Sequence, residues 1–133
     1  MMVTTTLETE VEQRGQIKLT GKHQQIVDTM VHHINQHYME PNLSVETLVD
    51  ITGLSTNYVR RVFKAATSQS FSEYTARLRF QKVQELLTET DLPAVRIGER
   101  VGFINSSYFY VSFKKFTGKT PDLYRKHHKK ATN

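Results

Sequence analysis

Apolar residues recur every three or four positions in several short segments of this chain, which is the period of an amphipathic helix. Turn residues separate the segments: Pro41, Gly53, Gly102 and Gly118 each fall between two of them. The pattern predicts an all-α fold of about seven helices. They cover about residues 22–38, 44–52, 55–66, 71–87, 93–101, 106–117 and 121–128.

The segment at about 71–87 has a broader apolar surface than the others. When its residues are placed 100° apart, the apolar ones spread over more than half of the circumference, whereas a surface helix shows a narrower stripe. We therefore predict a long connecting helix that is buried from two sides. Arg79 lies within the apolar arc, so we expect a structural role for it, with Glu99 or Asp91 as partner.

The segments on either side of this helix resemble each other. Residues 43–67 and 92–118 form a diverged internal repeat of about fifty residues, and the second copy has one extra residue in its turn. In each copy two short helices flank a glycine-containing turn, which is the pattern of a helix-turn-helix. The alignment pairs Gly53 with Gly102, Asn57 with Ser107, Tyr58 with Tyr108, Arg60 with Tyr110, Phe63 with Phe113 and Lys64 with Lys114.

The first residues are polar, threonine-rich and without periodicity, so we expect a tail or a linker left from a longer protein. The predicted organisation has four parts. They are the tail or linker at 1–21, a first helix-turn-helix subdomain at 22–69, the connecting helix at 70–89 and a second helix-turn-helix subdomain at 90–130.

Composition argues against several classes of protein. The chain has no cysteine, which removes disulfides, thiolate metal sites and thiol nucleophiles. No apolar run is long enough to span a membrane and no signal peptide is evident, so we expect a cytoplasmic protein. His33 and His37 have a metal-ligand spacing but no third ligand. With no catalytic constellation, we expect neither an enzyme nor a bound metal or cofactor.

Positive charge is concentrated near the C-terminus. The formal net charge is +5, and only one acidic residue, Asp122, interrupts the basic residues between 114 and 130. Such clustering indicates a polyanionic partner. The basic residues are Lys114, Lys115, Lys119, Arg125, Lys126, Lys129 and Lys130.

The second helix of each helix-turn-helix is its recognition helix, and the polar face of this helix supplies the candidate contacts with a nucleic acid. Asparagine can bind adenine and arginine can bind guanine through paired hydrogen bonds, while lysine and threonine suit phosphates. The candidates in the first motif are Thr56, Asn57, Arg60, Arg61 and Lys64. Those in the second are Ser107, Tyr110, Val111, Lys114 and Lys115.

These motifs resemble the DNA-binding domain of the AraC/XylS family of bacterial transcription regulators. The most specific stretch is GFINSSYFYVSFKKFTGKTPDLYRK at 102–126, and the likeness covers about 24–127. The resemblance implies sequence-specific binding of double-stranded DNA, with helices 55–66 and 106–117 entering successive major grooves. The family's base-reading positions fall on Asn57, Arg60 and Arg61, and on Ser106, Ser107, Tyr110 and Val111.

Val111 stands where the family commonly has arginine or lysine. A guanine contact is thereby lost, although Val111 could touch a thymine methyl group or leave its helix to anchor on phosphates. We therefore predict that the first motif carries more of the sequence specificity.

The resemblance also implies partners. Members of the family usually join this domain to an N-terminal sensing or dimerisation domain and act as activators through RNA polymerase. Such a domain is absent from this sequence, so the chain is either a stand-alone monomeric regulator or a fragment, and the linker-like N-terminus favours a fragment. The alternative to sequence-specific DNA binding is that the chain is a basic helical module that binds protein or RNA.

Overall fold

The computed structural model describes residues 20–129, and these form seven α-helices with no strand. The all-α prediction is confirmed. The predicted tail at 1–21 lies outside the described residues except for its last two, and Gly21 already begins the first helix. The helices are α1 (Gly21–His37), α2 (Val45–Thr52), α3 (Thr56–Thr67), α4 (Phe71–Glu89), α5 (Ala94–Arg100), α6 (Ser106–Thr117) and α7 (Pro121–His128).

The described chain divides into two compact units, and the division falls inside α4. Unit 1 comprises residues 20–37 and Leu43–Thr75. Unit 2 comprises Tyr38–Asn42 and residues 76–129. Each unit therefore holds one complete pair of short helices and part of the long helix.

Unit 1 is built on the apolar stripe of α1. Val27, Met30 and Ile34 are buried on this helix, and α1 contacts both α2 and α3. The periodicity of the sequence thus marks the buried face correctly. The buried apolar residues of this unit are Val27, Met30, Ile34, Val45, Leu48, Leu54, Tyr58, Val59, Val62, Phe63 and Phe71.

Unit 2 has an aromatic core that requires a close approach between helices. A Cβ at Gly98 of α5 would lie 2.7 Å from the Phe109 ring of α6, so no larger residue fits there without a shift. A glycine within a short helical segment predicts such a close approach, and the structure confirms it. The buried cluster contains Phe80, Val83, Leu87, Ala94, Ile97, Val101, Phe103, Phe109 and Phe113.

The broad apolar arc of α4 reflects its contribution to both units. Phe71 and Thr75 are buried in the part that belongs to unit 1, whereas Phe80, Val83 and Leu87 belong to the core of unit 2. Because each end of the helix serves a different core, the apolar positions do not share one narrow stripe.

Arg79 holds the segment that follows α1. Its Nε donates a hydrogen bond to the Tyr38 carbonyl (2.6 Å) and its NH2 group donates to the Glu40 carbonyl (2.9 Å). The guanidinium also lies 5.7 Å from the centre of the Phe103 ring. Burial lowers the pKa of Arg79, and the nearby Tyr108 opposes that shift. Arg79 therefore has the structural role that its position in the apolar arc predicts.

The partners expected for Arg79 were wrong. Glu99 instead pairs with Arg96 at 3.2 Å, and Asp91 pairs with Lys129. Backbone carbonyl groups outside a helix lack intrahelical donors, and the Arg79 guanidinium satisfies two such groups in the segment after α1.

Several smaller predictions about burial need correction. The apolar patterns of α5 and α7 predict that Val95 and Leu123 are buried, but they are 37% and 41% exposed. Phe116 is 44% exposed, although its ring stacks on Phe80 at 5.1 Å. Pro93 precedes α5 as its cap and does not occupy the first helical position. α5 and α7 have only seven and eight residues, so helical period defines their buried faces poorly.

The two copies of the repeat also share the pattern of hydrogen bonds at the ends of α3 and α6. The Thr67 hydroxyl lies within hydrogen-bond distance of the carbonyls of Phe63 and Gln69, to either of which it can donate its proton, and it accepts the Gln69 N–H. Thr117 makes the corresponding contacts with Phe113 and Lys119. The next residue has a left-handed backbone in both copies, with φ of 63° at Ser68 and 83° at Gly118.

This pair of positions gives a reciprocal stability prediction. Ser68→Gly should raise the free energy of unfolding by about 1 kcal/mol, because a side chain in the left-handed region is strained and glycine is not. Gly118→Ser should lower it by a similar amount. Thermal unfolding of both variants measures the two effects. A destabilised Ser68→Gly variant would contradict this account.

Candidate nucleic-acid interface

A tight turn sets the start of α3. Gly53 has a φ of 71°, and its N–H donates to the Val49 carbonyl at 2.8 Å, which ends α2. Ser55 then caps α3 by accepting the Tyr58 N–H at 3.2 Å. Burial of Tyr58, Val59, Val62 and Phe63 fixes the inward face of α3.

The five candidates of the first motif lie opposite that buried face. At 100° per residue they fall within about 140° of the helix circumference, and all five are exposed. In the part of the chain that the structure describes, no hydrogen bond or ion pair engages their side chains. The surface can therefore present amide, guanidinium and ammonium donors to an external partner. These residues are Thr56, Asn57, Arg60, Arg61 and Lys64.

The start of α6 is built in a similar way. Asn105 and Ser106 are both residue types that cap helices. In the structure the cap is Asn105, whose Oδ1 accepts the Tyr108 N–H at 2.8 Å. Gly118, with a φ of 83°, ends the helix. Because Phe109 and Phe113 are buried, the opposite side of α6 faces outward.

The candidates of the second motif are less uniform. Ser106, Ser107, Val111, Lys114 and Lys115 are exposed. Tyr110 is partly buried against the core of unit 2, with its ring edge-on to Phe109 at 5.3 Å. Burial, and secondarily the charge of Asp122, raises the pKa of the Tyr110 hydroxyl. That hydroxyl therefore keeps its proton near neutral pH and can donate a hydrogen bond.

Arg125 is not free to bind a polyanion, contrary to the sequence-based interpretation of the basic cluster. Its Nε donates to the Leu87 carbonyl at 3.1 Å, and its NH2 group donates to the carbonyls of Thr90 (3.2 Å) and Leu92 (2.5 Å). The side chain thus holds the end of α4 and the link that follows. Lys129 is likewise engaged, by Asp91.

Two exposed residues, one at the start of α6 and one in the turn before it, were missed. Tyr108 is 62% exposed, whereas its repeat counterpart Tyr58 is 3% exposed and lies beside His23. Ile104, in the turn before α6, is 83% exposed. Tyr108 occupies the repeat position of the buried Tyr58, but equivalent spacing in the sequence does not determine whether another helix covers a position. The extra residue in the second turn was the available signal.

The described residues show neither of two other kinds of site. Within 20–129, no three His, Asp or Glu side chains come together in a way that could hold a metal ion. His33 and His37 stack on each other with ring centres 4.3 Å apart. None of these seven helices is long and apolar enough to span a bilayer.

Comparison with known proteins identifies the family of this chain. A family model described as a helix-turn-helix domain matches residues 48–127. The chain is 33% identical over 105 residues to the uncharacterized HTH-type transcriptional regulator YtdP of Bacillus subtilis, covering 79% of this chain and 14% of that protein. It is 29% identical over 103 residues to the regulatory protein SoxS of Salmonella typhimurium, covering 77% of this chain and 95% of SoxS.

A solved structure gives the same result. The C-terminal domain of AraT, a response regulator from Geobacillus stearothermophilus, superimposes with a TM-score of 0.78 at 30% identity, covering 88% of this chain and 95% of that domain. The chain belongs to the AraC-type family of helix-turn-helix proteins. The family is one of DNA-binding transcription regulators, and this chain is a DNA-binding transcription regulator domain.

Proposed function

We propose that this chain recognises a specific sequence in double-stranded DNA through α3 and α6. The observation that carries the proposal is the outward face of α3, where Asn57, Arg60 and Arg61 are exposed and unpaired within the described residues. Asparagine and arginine are the side chains that best distinguish adenine and guanine in the major groove. A solvated face would not require three base-reading residues at the start of a recognition helix.

The two motifs have different roles in this proposal. In α3, Thr56 and Lys64 flank the base-reading residues and suit phosphates. In α6, Lys114 and Lys115 lie in the last turns of the helix, where they can position the protein on the backbone. The N-terminal half of α6 supplies Ser106, Ser107, Tyr110 and Val111 for the bases. On this assignment α3 provides most of the hydrogen-bonded readout.

Further parts of the proposal concern the whole protein. We infer that the chain acts in the cytoplasm by binding and not by catalysis, and that it activates transcription through contact with RNA polymerase. The chain spans 14% of YtdP, which fits a DNA-binding domain that can be attached to a sensing or dimerisation domain. The AraC-type family membership supports these inferences.

Competition between nucleic acids tests the proposal against a general basic module. At about 0.15 M salt, where phosphate contacts are weakened, duplex DNA should displace a labelled duplex far better than an RNA duplex of the same sequence. The A-form major groove of RNA is too narrow to admit a recognition helix. Equal displacement by RNA would support the protein- or RNA-interaction alternative instead.

A further inference from the structure

The beginning of α6 carries an apolar surface that has no equivalent in α3. Ile104, Tyr108 and Val111 are 83%, 62% and 63% exposed. Tyr108 and Val111 are three residues apart on a helix, so they are neighbours on its surface. We call these three residues the apolar reading surface.

The position of Ile104 follows from the extra residue in the second turn. Leu54 alone stands between Gly53 and the cap Ser55, and it is 5% exposed. Two residues, Phe103 and Ile104, stand between Gly102 and the cap Asn105. Phe103 takes the buried role at 7% exposure. Ile104 therefore does not contribute to the core, and it is exposed in the turn that leads into α6.

The surroundings of this surface indicate its partner. Lys114 and Lys115 are exposed further along α6, so the helix presents apolar groups at its N-terminal end and positive charge at its C-terminal end. The N-terminal residues of a recognition helix contact base edges. In the major groove, the apolar group that a base offers is the C5-methyl group of thymine.

We propose that α6 reads thymine methyl groups through Ile104, Tyr108 and Val111, and that its half of the binding site is thymine-rich. This rests on the proposed function, because it requires α6 to enter a major groove. The two motifs then divide the readout by chemistry. α3 distinguishes adenine and guanine by hydrogen bonds, whereas α6 distinguishes thymine by apolar contact.

Replacement of thymine by deoxyuridine tests this directly, since deoxyuridine pairs normally but lacks the methyl group. The test uses a duplex that the protein selects from a randomised pool. The α6 half of this duplex is the half in which the base preferences change when the selection is repeated with the Ser107→Ala variant. Loss of one buried methyl group changes a binding constant about fourfold. We therefore expect the binding constant to fall about fourfold for each contacted thymine in the α6 half that is replaced by deoxyuridine.

Variants assign the effect to the surface. Val111→Asn and Ile104→Asn should each reduce the difference in binding between the thymine and deoxyuridine duplexes, because each removes one of the three apolar partners. Lys114→Ala is the matched control: it should weaken both duplexes equally and reduce the salt dependence by about one charge. An α6 half without thymine, no effect of deoxyuridine, or an effect that is undiminished in both variants would overturn the proposal.

Failure of this inference is distinguishable from failure of the proposed function. If the selected duplex still binds far better than a scrambled one while deoxyuridine has no effect, sequence-specific binding stands and only the thymine readout is rejected. If the selected and scrambled duplexes bind equally, sequence-specific binding is rejected, and the thymine readout with it.

Discussion

Alanine in place of Arg60 or Arg61 is expected to cost about 1–3 kcal/mol of binding free energy on the specific duplex, and much less on random DNA. Both guanidinium groups are exposed on α3. A side chain that binds one guanine through two hydrogen bonds contributes only where that guanine is present, and its removal therefore relaxes the preference at one base position.

Two controls separate base reading from general attraction to phosphate. Arg60→Lys and Arg61→Lys keep the charge but lose the planar fork, so the variant of the base-reading arginine should retain little specificity. Lys64→Ala should weaken specific and random duplexes to the same extent. Fluorescence anisotropy with both duplexes at one salt concentration measures all of these. Equal losses on both duplexes for the two alanine variants would reject the assignment of Arg60 and Arg61 to bases.

Arg125→Ala is expected to lower the free energy of unfolding by about 2–3 kcal/mol, because it leaves carbonyl groups at the end of α4 without their donor. The guanidinium donates to three carbonyls, those of Leu87, Thr90 and Leu92. Arg125→Lys should recover only part of this stability, since an ammonium group cannot span three acceptors in a fork.

Arg96→Ala is the matched control for Arg125→Ala. Arg96 forms an exposed pair with Glu99 three residues away, and such a pair contributes about 0–1 kcal/mol. Denaturant unfolding of the three variants gives the comparison. If Arg125→Ala unfolds at the same denaturant concentration as Arg96→Ala, the carbonyl contacts of Arg125 contribute little to stability.

Local signals in the sequence were sufficient for the helices and for most of the first motif. Ser55 and Thr120 accept the N–H groups expected of helix caps. The exposed face of α3 follows from the period of four buried residues in a twelve-residue helix. Both features depend only on residues within one turn of each other, which is the range over which periodicity and capping act.

Contacts between distant residues were not predictable in the same way. Arg125 and Leu87 are 38 residues apart, and Arg79 and Tyr38 are 41 residues apart. A basic residue near the C-terminus looks the same in sequence whether it faces a phosphate or a carbonyl group. Tyr58 and Tyr108 likewise occupy equivalent repeat positions, but only Tyr58 is buried. Tertiary packing decides these cases.

Selection from a randomised pool of duplex DNA at about 0.15 M salt tests the central claim most directly. The account predicts an enriched sequence with two boxes. Mutations in α3 should alter the base preferences of one box, which contains guanine or adenine at its preferred positions. Mutations in α6 should alter the base preferences of the other box, which contains thymine. A pool that shows no enrichment after repeated binding would contradict sequence-specific recognition by this chain.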